Sequence, residues 1–219
     1  MGVPLPRIVH NRLLSFWEEH KSRGRGMRGD SVRSTIGGCV GSPKKGSKNM
    51  TIKPEGTAQY ARRAHPESSV WYLGCMFTVL ADSEETGGHY GLIESLSPKG
   101  TEPPRHVHSS EDETFYLLEG KITFYIGEET YEATPGTFVS APRGVPHSYT
   151  FETDMIRMLV FVAPGGFEEF FRPPQSSEPA QALEIPPPSD TPPDVPALVA
   201  ALEQYGVEVV GPPGPPVQG

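Results

Sequence analysis

The sequence predicts an all-β fold, a small antiparallel sandwich or barrel, for the central part of this chain. Between Val70 and Val162, short runs rich in aromatic and β-branched residues alternate with turns that contain glycine or proline. No segment with helical periodicity of useful length interrupts these runs. The chain of 219 residues contains 24 glycines and 25 prolines, a composition that favours turns, a β-rich core and irregular ends. Short strands at close spacing are typical of sandwiches and barrels.

Individual strands are assigned from their composition and from the turns that end them. The expected strands are residues 70–81, 89–96, 114–118, 121–127, 130–133, 137–141, 147–151 and 155–162, with a further strand around His106. Polar or glycine-containing turns separate them, for example DSEETGG after the first strand and the Glu119-Gly120 pair after the third. The core domain is therefore expected to span residues 50–172, and to end in a helical turn near Phe167–Phe171.

Residues 1–49 differ sharply from the rest and are predicted to be a disordered basic extension. They carry ten Lys/Arg against three Asp/Glu, whereas residues 50–219 carry nine against twenty-four. The basic segment is rich in glycine and serine and cannot bury enough apolar surface to offset its ordering entropy. We interpret it as an upstream extension, with Met50 as the natural start, in preference to an organelle transit peptide. The acidic remainder argues against nucleic acid as a partner.

The C-terminal segment, residues 173–219, is predicted to be a proline-rich acidic tail that carries one short helix. Thirteen of the prolines fall in this segment, and no Lys or Arg follows Arg172. The helix is expected near residues 194–205, with Asp194 as its N-cap and Gly206 just beyond its end. The remaining tail should be extended. Three residues on one face of the helix should pack on the barrel: Leu198, Leu202 and Tyr205.

Cysteine content and hydropathy indicate in which cellular compartment the protein is expected to reside. The two cysteines, Cys39 and Cys75, are too few for a disulfide framework and have no metal-binding spacing. Cys75 is expected to be a buried small hydrophobe. No apolar run approaches the length of a membrane span. A reduced, cytoplasmic location fits these features best.

Two stretches carry the residues that point to chemistry. The first, GTEPPRHVHSSEDETFYLLEG (residues 100–120), places His106 and His108 two apart on a strand, so both imidazoles face the same side. Glu113 follows at the head of the next strand. The second, GTFVSAPRGVPHSYTF (residues 136–151), supplies His147 after a turn. Three imidazoles and one carboxylate can close around one divalent metal and leave positions open for substrate or oxygen.

These two stretches resemble the two conserved motifs of the cupin superfamily. The spacing of glycines, histidines and the glutamate agrees throughout, and the one departure is Phe151, where asparagine is usual. From about Trp71 to Phe171 the chain is similar to single-domain cupins of the bacterial quercetin-dioxygenase-like group, with APGGFEEFF and YGVEVVGPP as further similar pieces. The resemblance implies a small antiparallel barrel with a metal at its centre. By motif position the implied ligands are His106, His108, Glu113 and His147.

The resemblance also implies an activity. The family's ligand set suits Fe, Mn, Ni or Co, and zinc is compatible with it. The expected function is that of a quercetin 2,3-dioxygenase-like enzyme acting with O₂ on a flavonol or another small enolisable or phenolic substrate. Glu113 would be either a ligand alone or also the base that takes the substrate proton. The alternatives are a metal-dependent isomerase, decarboxylase or lyase, and a non-catalytic small-molecule binding protein. A homodimer is expected, because exposed sheet edges invite pairing.

Strand parity adds candidates for the walls of a substrate pocket. A residue that lies an even number of positions from a ligand on the same strand shares its parity, which means that both side chains point to the same face. Such residues should point into the barrel. The pocket candidates are Phe115, Leu117, Tyr149 and Phe151. Filling of the barrel interior alone would also explain these residues. Tyr116 has the opposite parity and should lie outside, and the acidic residues Glu111 and Asp112 are expected to face solvent.

Overall fold

A computed structural model describes residues 59–173, 177–189 and 191–216. Within these residues it has twelve strands, one α-helix, α1 (Val195–Gln204), and two short 3₁₀ turns. The strands are β1 (Ser69–Tyr72), β2 (Cys75–Ala81), β3 (Gly91–Pro98), β4 (Arg105–His108), β5 (Asp112–Glu119), β6 (Ile122–Ile126), β7 (Glu129–Ala133), β8 (Phe138–Ala141), β9 (His147–Phe151), β10 (Met155–Ala163), β11 (Glu178–Pro179) and β12 (Val207–Gly211). The all-β prediction is confirmed.

The strands form two antiparallel sheets with one apolar core between them. One sheet has seven strands in the order β11-β1-β2-β3-β10-β5-β8, and the other has five in the order β12-β4-β9-β6-β7. A single large cluster of buried side chains contains Leu117 of the first sheet together with Phe124 and Phe151 of the second. The two inner faces therefore close the small barrel that the sequence predicts.

Strand β5 shows how alternation in the sequence sets the two faces. Phe115 and Leu117 are 3% and 2% exposed, whereas Tyr116 between them is 43% exposed. Successive side chains of a strand point to opposite faces, so the predicted parity is confirmed here. Gly120 ends this strand at φ +95°, and a Cβ there would lie 2.7 Å from the carbonyl oxygen of Met155. Only glycine both adopts this positive φ without strain and lacks the Cβ that would collide with the carbonyl oxygen.

The predicted C-terminal helix is present within one residue of its expected ends. Helix α1 begins after Asp194, whose carboxylate accepts a hydrogen bond from the backbone N–H of Ala197. Gly206 follows the helix with φ +72°, a conformation that favours glycine. Leu202 and Tyr205 pack against the barrel core. Cap chemistry and a proline in the first turn were therefore sufficient to place this helix.

The segment beyond residue 172 is part of the sheets, which the sequence did not predict. Strand β11 pairs with β1, and strand β12 pairs with β4 through four residue pairs. The indole N–H of Trp71 also donates to the carbonyl oxygen of Glu184, 2.9 Å away. Strands of two and five residues beside glycine and proline have little sequence signal of their own, and their partner strands decide their structure.

A 3₁₀ turn, Phe167–Phe171, lies where a helical turn was expected. Glu168 is fully buried, and its carboxylate accepts hydrogen bonds from the backbone N–H groups of Ser83 and Gly166 at 2.6 and 2.8 Å. These bonds compensate the cost of burying a carboxylate. They hold the turn against the barrel, with the Phe167 ring directed towards the interior.

The predicted basic extension, residues 1–49, lies outside the described residues. Cys75 is buried, as expected, and its thiol donates to the hydroxyl of Thr101 at 3.1 Å. Burial raises the pKa of this thiol. None of the helices in the described part of the chain has the length and apolar character needed to cross a bilayer.

Candidate metal centre

The four predicted ligands come from three strands in both sheets and meet inside the barrel. His106 and His108 lie two apart on β4, and His147 begins β9 directly opposite His106 in the five-stranded sheet. Glu113 reaches them from β5 in the seven-stranded sheet. One potential ligand atom from each of these residues lies within 4.8 Å of the others, and all four residues are buried. This metal cluster could hold one metal ion.

The carboxylate of Glu113 lies at the centre of the cluster. Its Oε2 atom is 2.8 Å from Nε2 of His147. The same oxygen is 3.4 Å from Nε2 of His108 and 3.7 Å from Nε2 of His106. All three imidazoles therefore present the same ring nitrogen to one point, which is the arrangement that a cation between them would require.

Backbone carbonyl groups set the orientation of two imidazoles. Nδ1 of His106 is 2.8 Å from the carbonyl oxygen of Pro104, and Nδ1 of His147 is 3.1 Å from that of Val145. A ring nitrogen beside a carbonyl oxygen must carry the proton, so the Nε2 lone pair is left for a metal. Both carbonyls belong to the residue two positions before the histidine, so the local chain itself presents each ligand.

His108 provides the direct test of whether a metal fits. It is 1% exposed, and neither of its ring nitrogens has a hydrogen-bond partner. A buried polar atom without a partner carries a desolvation cost of about 1–3 kcal/mol. Coordination of a metal by Nε2 would remove that cost for one of the two atoms. Together with the mixed nitrogen and oxygen donor set, this makes the cluster chemically suited to a divalent transition metal.

Glu111 is an additional member of the site that sequence reasoning missed. It was expected to face solvent, but it is 7% exposed and its Oε2 lies 3.5 Å from Nδ1 of His108. The chain around Gly206 covers this loop, since the N–H of Ser109 donates to the carbonyl oxygen of Gly206 at 2.9 Å. Asp112, by contrast, is half-exposed and pairs with Arg143 at 3.0 Å. A carboxylate behind a ligating histidine commonly orients it.

Electrostatics in the cluster favour a positive charge. Burial disfavours the imidazolium, but Glu113 and Glu111 outweigh it and raise the pKa of His108 to about 9. Burial would also favour a neutral Glu113, yet His108 and the neighbouring imidazoles hold its pKa well below the usual range. Burial and the adjacent His147 lower the pKa of His106 to about 4. Two buried carboxylates thus favour a cation beside them, either the His108 imidazolium or a metal ion bound in place of its proton.

A cavity of about 130 Å³ adjoins the cluster and is mainly apolar. His106 and Glu113 line it, and Tyr149 and Phe151, both predicted as pocket walls, do so as well. The other two candidates, Phe115 and Leu117, are buried but are absent from the cavity lining. The Phe115 ring packs on Phe124 with centroids 4.9 Å apart. The alternation of side chains along the strands therefore predicted which residues face inward. It did not predict which of them line the cavity and which are packed in the core.

Residues outside the two sheets complete the cavity wall. Helix α1 contributes four side chains, Val195, Leu198, Val199 and Leu202. Phe167 of the 3₁₀ turn lines the cavity and also packs edge-on to the ring of His108, with centroids 4.7 Å apart. No sequence signal connected these residues to the metal cluster, although the resemblance had included the FEEFF segment.

Comparison with known proteins agrees with this architecture. Residues 92–164, which contain all four members of the metal cluster, match the family model described as a cupin domain. The chain carries a cupin domain. Its two antiparallel sheets and its cluster of three histidines and one glutamate are therefore those of a cupin barrel.

Among curated proteins, this chain is similar to two quercetin 2,3-dioxygenases. It is 29% identical to the Bacillus subtilis enzyme over 123 residues, which cover 56% of this chain and 36% of the relative. It is 31% identical to the Aspergillus japonicus enzyme over 71 residues, which cover 30% of this chain and 20% of the relative. The chain thus spans about a third or less of the length of these enzymes.

Solved structures with similar folds include proteins of different kinds. Pac13 from Streptomyces, a nucleoside dehydratase, is 18% identical, with 50% of this chain and 88% of that chain covered and a TM-score of 0.41. The cupin domain of Schizosaccharomyces pombe Cnp3 is 20% identical, with 45% and 66% covered and a TM-score of 0.39. At these scores the likeness carries no conclusion about the reaction of this protein.

Proposed function

We propose that this protein is a metal-dependent dioxygenase that adds O₂ to a flavonol or another small enolisable or phenolic substrate. The observation that carries the proposal is the four-residue metal cluster, of which His106 and Glu113 line an apolar cavity with several aromatic side chains in its wall. Partial similarity to two quercetin 2,3-dioxygenases supports it. A dioxygenase places both oxygen atoms in the substrate, so the reaction needs no separate reductant.

The metal would be held by His106, His108, Glu113 and His147. Fe, Mn, Ni and Co fit this donor set, and zinc is compatible with it. When bound, such a metal supplies open coordination positions and redox or Lewis-acid chemistry to a substrate hydroxyl and to O₂. The protein's part is to hold the donor atoms at one point and to keep water from the reacting groups.

Glu113 has the position needed for a second role as the base. Its carboxylate lies beside three imidazoles and also lines the cavity, so a substrate hydroxyl at the metal would be within its reach. Removing the hydroxyl proton makes the substrate oxygen a better metal donor and a better electron donor. The ring walls, including Phe151 and Phe167, provide the dry surface on which a flat substrate can lie.

The proposal predicts oxygen uptake that depends on both the metal and Glu113. The protein reconstituted in turn with Fe, Mn, Ni and Co should consume O₂ with at least one compound of a panel that contains quercetin, catechols and enolisable diketones. A base contributes about 10²- to 10⁴-fold to rate, so Glu113→Gln should slow turnover at least a hundredfold while weakening substrate binding much less. An oxygen electrode run beside the substrate absorbance measures both.

Oxygen uptake that is absent with every metal and every compound would contradict the oxygenase. The same samples would then be assayed for decarboxylation or isomerisation by product analysis, which separates a lyase or isomerase from a binding protein. Glu203→Ala, on the exposed face of α1, serves as the control and should consume O₂ at the wild-type rate.

We also propose that the protein is a homodimer. Tyr116 and Phe138 lie opposite each other on β5 and β8, with 43% and 63% of their surfaces exposed. Strand β8 forms an edge of the seven-stranded sheet within the described residues, so this aromatic pair borders unpaired backbone groups.

Light scattering should give about twice the chain mass of 23.9 kDa. Phe138→Lys should shift the mass towards the monomer, and a wild-type monomer would contradict the proposal.

A further inference from the structure

The cavity beside the metal cluster is small, and its volume limits the size of the substrate that it can hold. It measures about 130 Å³. A cavity of about 150 Å³ engineered into another protein holds one benzene molecule. With helix α1 in place, the enclosed space therefore holds about one aromatic ring, whereas a flavonol has three.

The cavity is open to the cluster from one side. His106 and Glu113 line it, while His108 and His147 are each 1% exposed and lie behind them. A ligand in the cavity therefore reaches the cluster between one imidazole and the carboxylate. Phe167, which packs against His108, continues the apolar wall on that side.

The charge of the wall selects against anions. Among the described residues that line the cavity none is lysine or arginine, and two, Glu102 and Glu113, are acidic. A phosphate or a carboxylate that lies in the cavity away from the metal would face Glu102, with no lysine or arginine in the wall to pair with it. A neutral ligand carries no such cost.

The polar side chains of the wall are mostly bonded to the protein itself. Glu102 accepts hydrogen bonds from the backbone N–H groups of Gly100 and Phe151 at 2.8 and 3.0 Å. The hydroxyl of Ser97 is bonded to that of Ser95 at 2.6 Å. Tyr149 brings a phenolic hydroxyl to the wall, and its ring is held by Phe151 and Phe124 with centroids 5.4 and 5.3 Å away. This hydroxyl can donate to an oxygen of the ligand.

We propose that the ligand of this site is a neutral, single-ring phenol or enol, of which catechol is the simplest example. Its oxygen would meet the metal between His106 and Glu113, a second oxygen would accept from Tyr149, and its ring would lie under Leu198 and Leu202 of α1. This inference rests on the metal site of the proposed function. It narrows the substrate class, because it excludes flavonols as well as anionic sugars and acids.

Binding measured without turnover tests the inference. The full-length protein is loaded with Zn²⁺, which does no redox chemistry, and titrated under argon by calorimetry. Catechol should bind at least tenfold more tightly than quercetin and than 3,4-dihydroxybenzoate, its carboxylate-bearing analogue. The double variant Leu198→Ala/Leu202→Ala enlarges the cavity and should tighten quercetin binding at least tenfold. Glu203→Ala, on the exposed face of the same helix, should change neither affinity.

The Tyr149→Phe variant tests the hydrogen bond separately. It should weaken catechol about fivefold, the effect of one neutral hydrogen bond, while zinc content and melting temperature stay unchanged. Unchanged catechol affinity would overturn the role of Tyr149. Quercetin binding as tight as catechol in the wild type would overturn the size limit, and absence of catechol binding would overturn the ligand class.

These outcomes are distinguishable from failure of the oxygenase. Catechol that binds the zinc protein but supports no O₂ uptake with Fe, Mn, Ni or Co would refute the dioxygenase and support the single-ring ligand. O₂ uptake with quercetin, combined with no measurable catechol binding, would refute the single-ring ligand and support the dioxygenase.

Discussion

Replacing His147 or His106 with alanine is expected to remove most of the bound metal while the barrel stays folded. Both imidazoles present Nε2 to the centre of the cluster, within 2.8 and 3.7 Å of the carboxylate of Glu113. Loss of a residue that only orients a ligand typically costs 10- to 100-fold in metal affinity, so loss of a ligand should cost at least about 100-fold. Elemental analysis and circular dichroism of each purified variant measure the two effects.

His89→Ala is the matched control for these variants. His89 is exposed and lies outside the cluster, so its replacement should leave metal content unchanged. Metal content equal to the wild type in both His106→Ala and His147→Ala would refute the site. A loss of the folded spectrum in both would show that the imidazoles are needed for the barrel, and Glu113→Gln would then carry the test of metal binding.

Truncation after Pro193 is expected to destabilise the protein strongly and to weaken metal binding. The truncated chain lacks α1 and β12. Strand β4, which carries His106 and His108, pairs with β12 at four positions but with β9 at one. The truncation also exposes the surfaces on which Val195 and Val207, 6% and 1% exposed, are buried. Burial of a few aliphatic side chains contributes on the order of 5 kcal/mol, so the melting temperature should fall by roughly 10–20 °C.

Two measurements decide this prediction. Thermal unfolding followed by circular dichroism gives the melting temperature, and elemental analysis gives the metal content. Deletion of residues 217–219, which follow the last described residue and leave α1 and β12 in the chain, is the control and should change neither. If the protein truncated after Pro193 kept both the wild-type melting temperature and the wild-type metal content, β4 would be held without its C-terminal partner.

The residues of the metal cluster could be named from the sequence because local geometry determines their direction. His106 and His108 are two apart on one strand and must face the same side, whatever that strand packs against. The same holds for the alternation of Phe115, Tyr116 and Leu117. The bounds of α1 followed from an Asp cap and a glycine with positive φ, both of which act within a few residues. Interactions between residues that are close in the chain can therefore be predicted from a short stretch of sequence.

The cavity and the support of the site were decided by the tertiary structure. Strand β12 reaches β4 across about a hundred residues of chain, and Val209 and Val207 pair with the two ligand histidines. Glu111 lies against His108, and the chain near Gly206 binds the loop that carries it. Helix α1 closes the cavity and limits its volume. Which strands pair and which side chains are buried depends on which surfaces far apart in sequence come together. A strand such as β12, or an acidic side chain such as that of Glu111, therefore gains its partner only when the whole chain has packed.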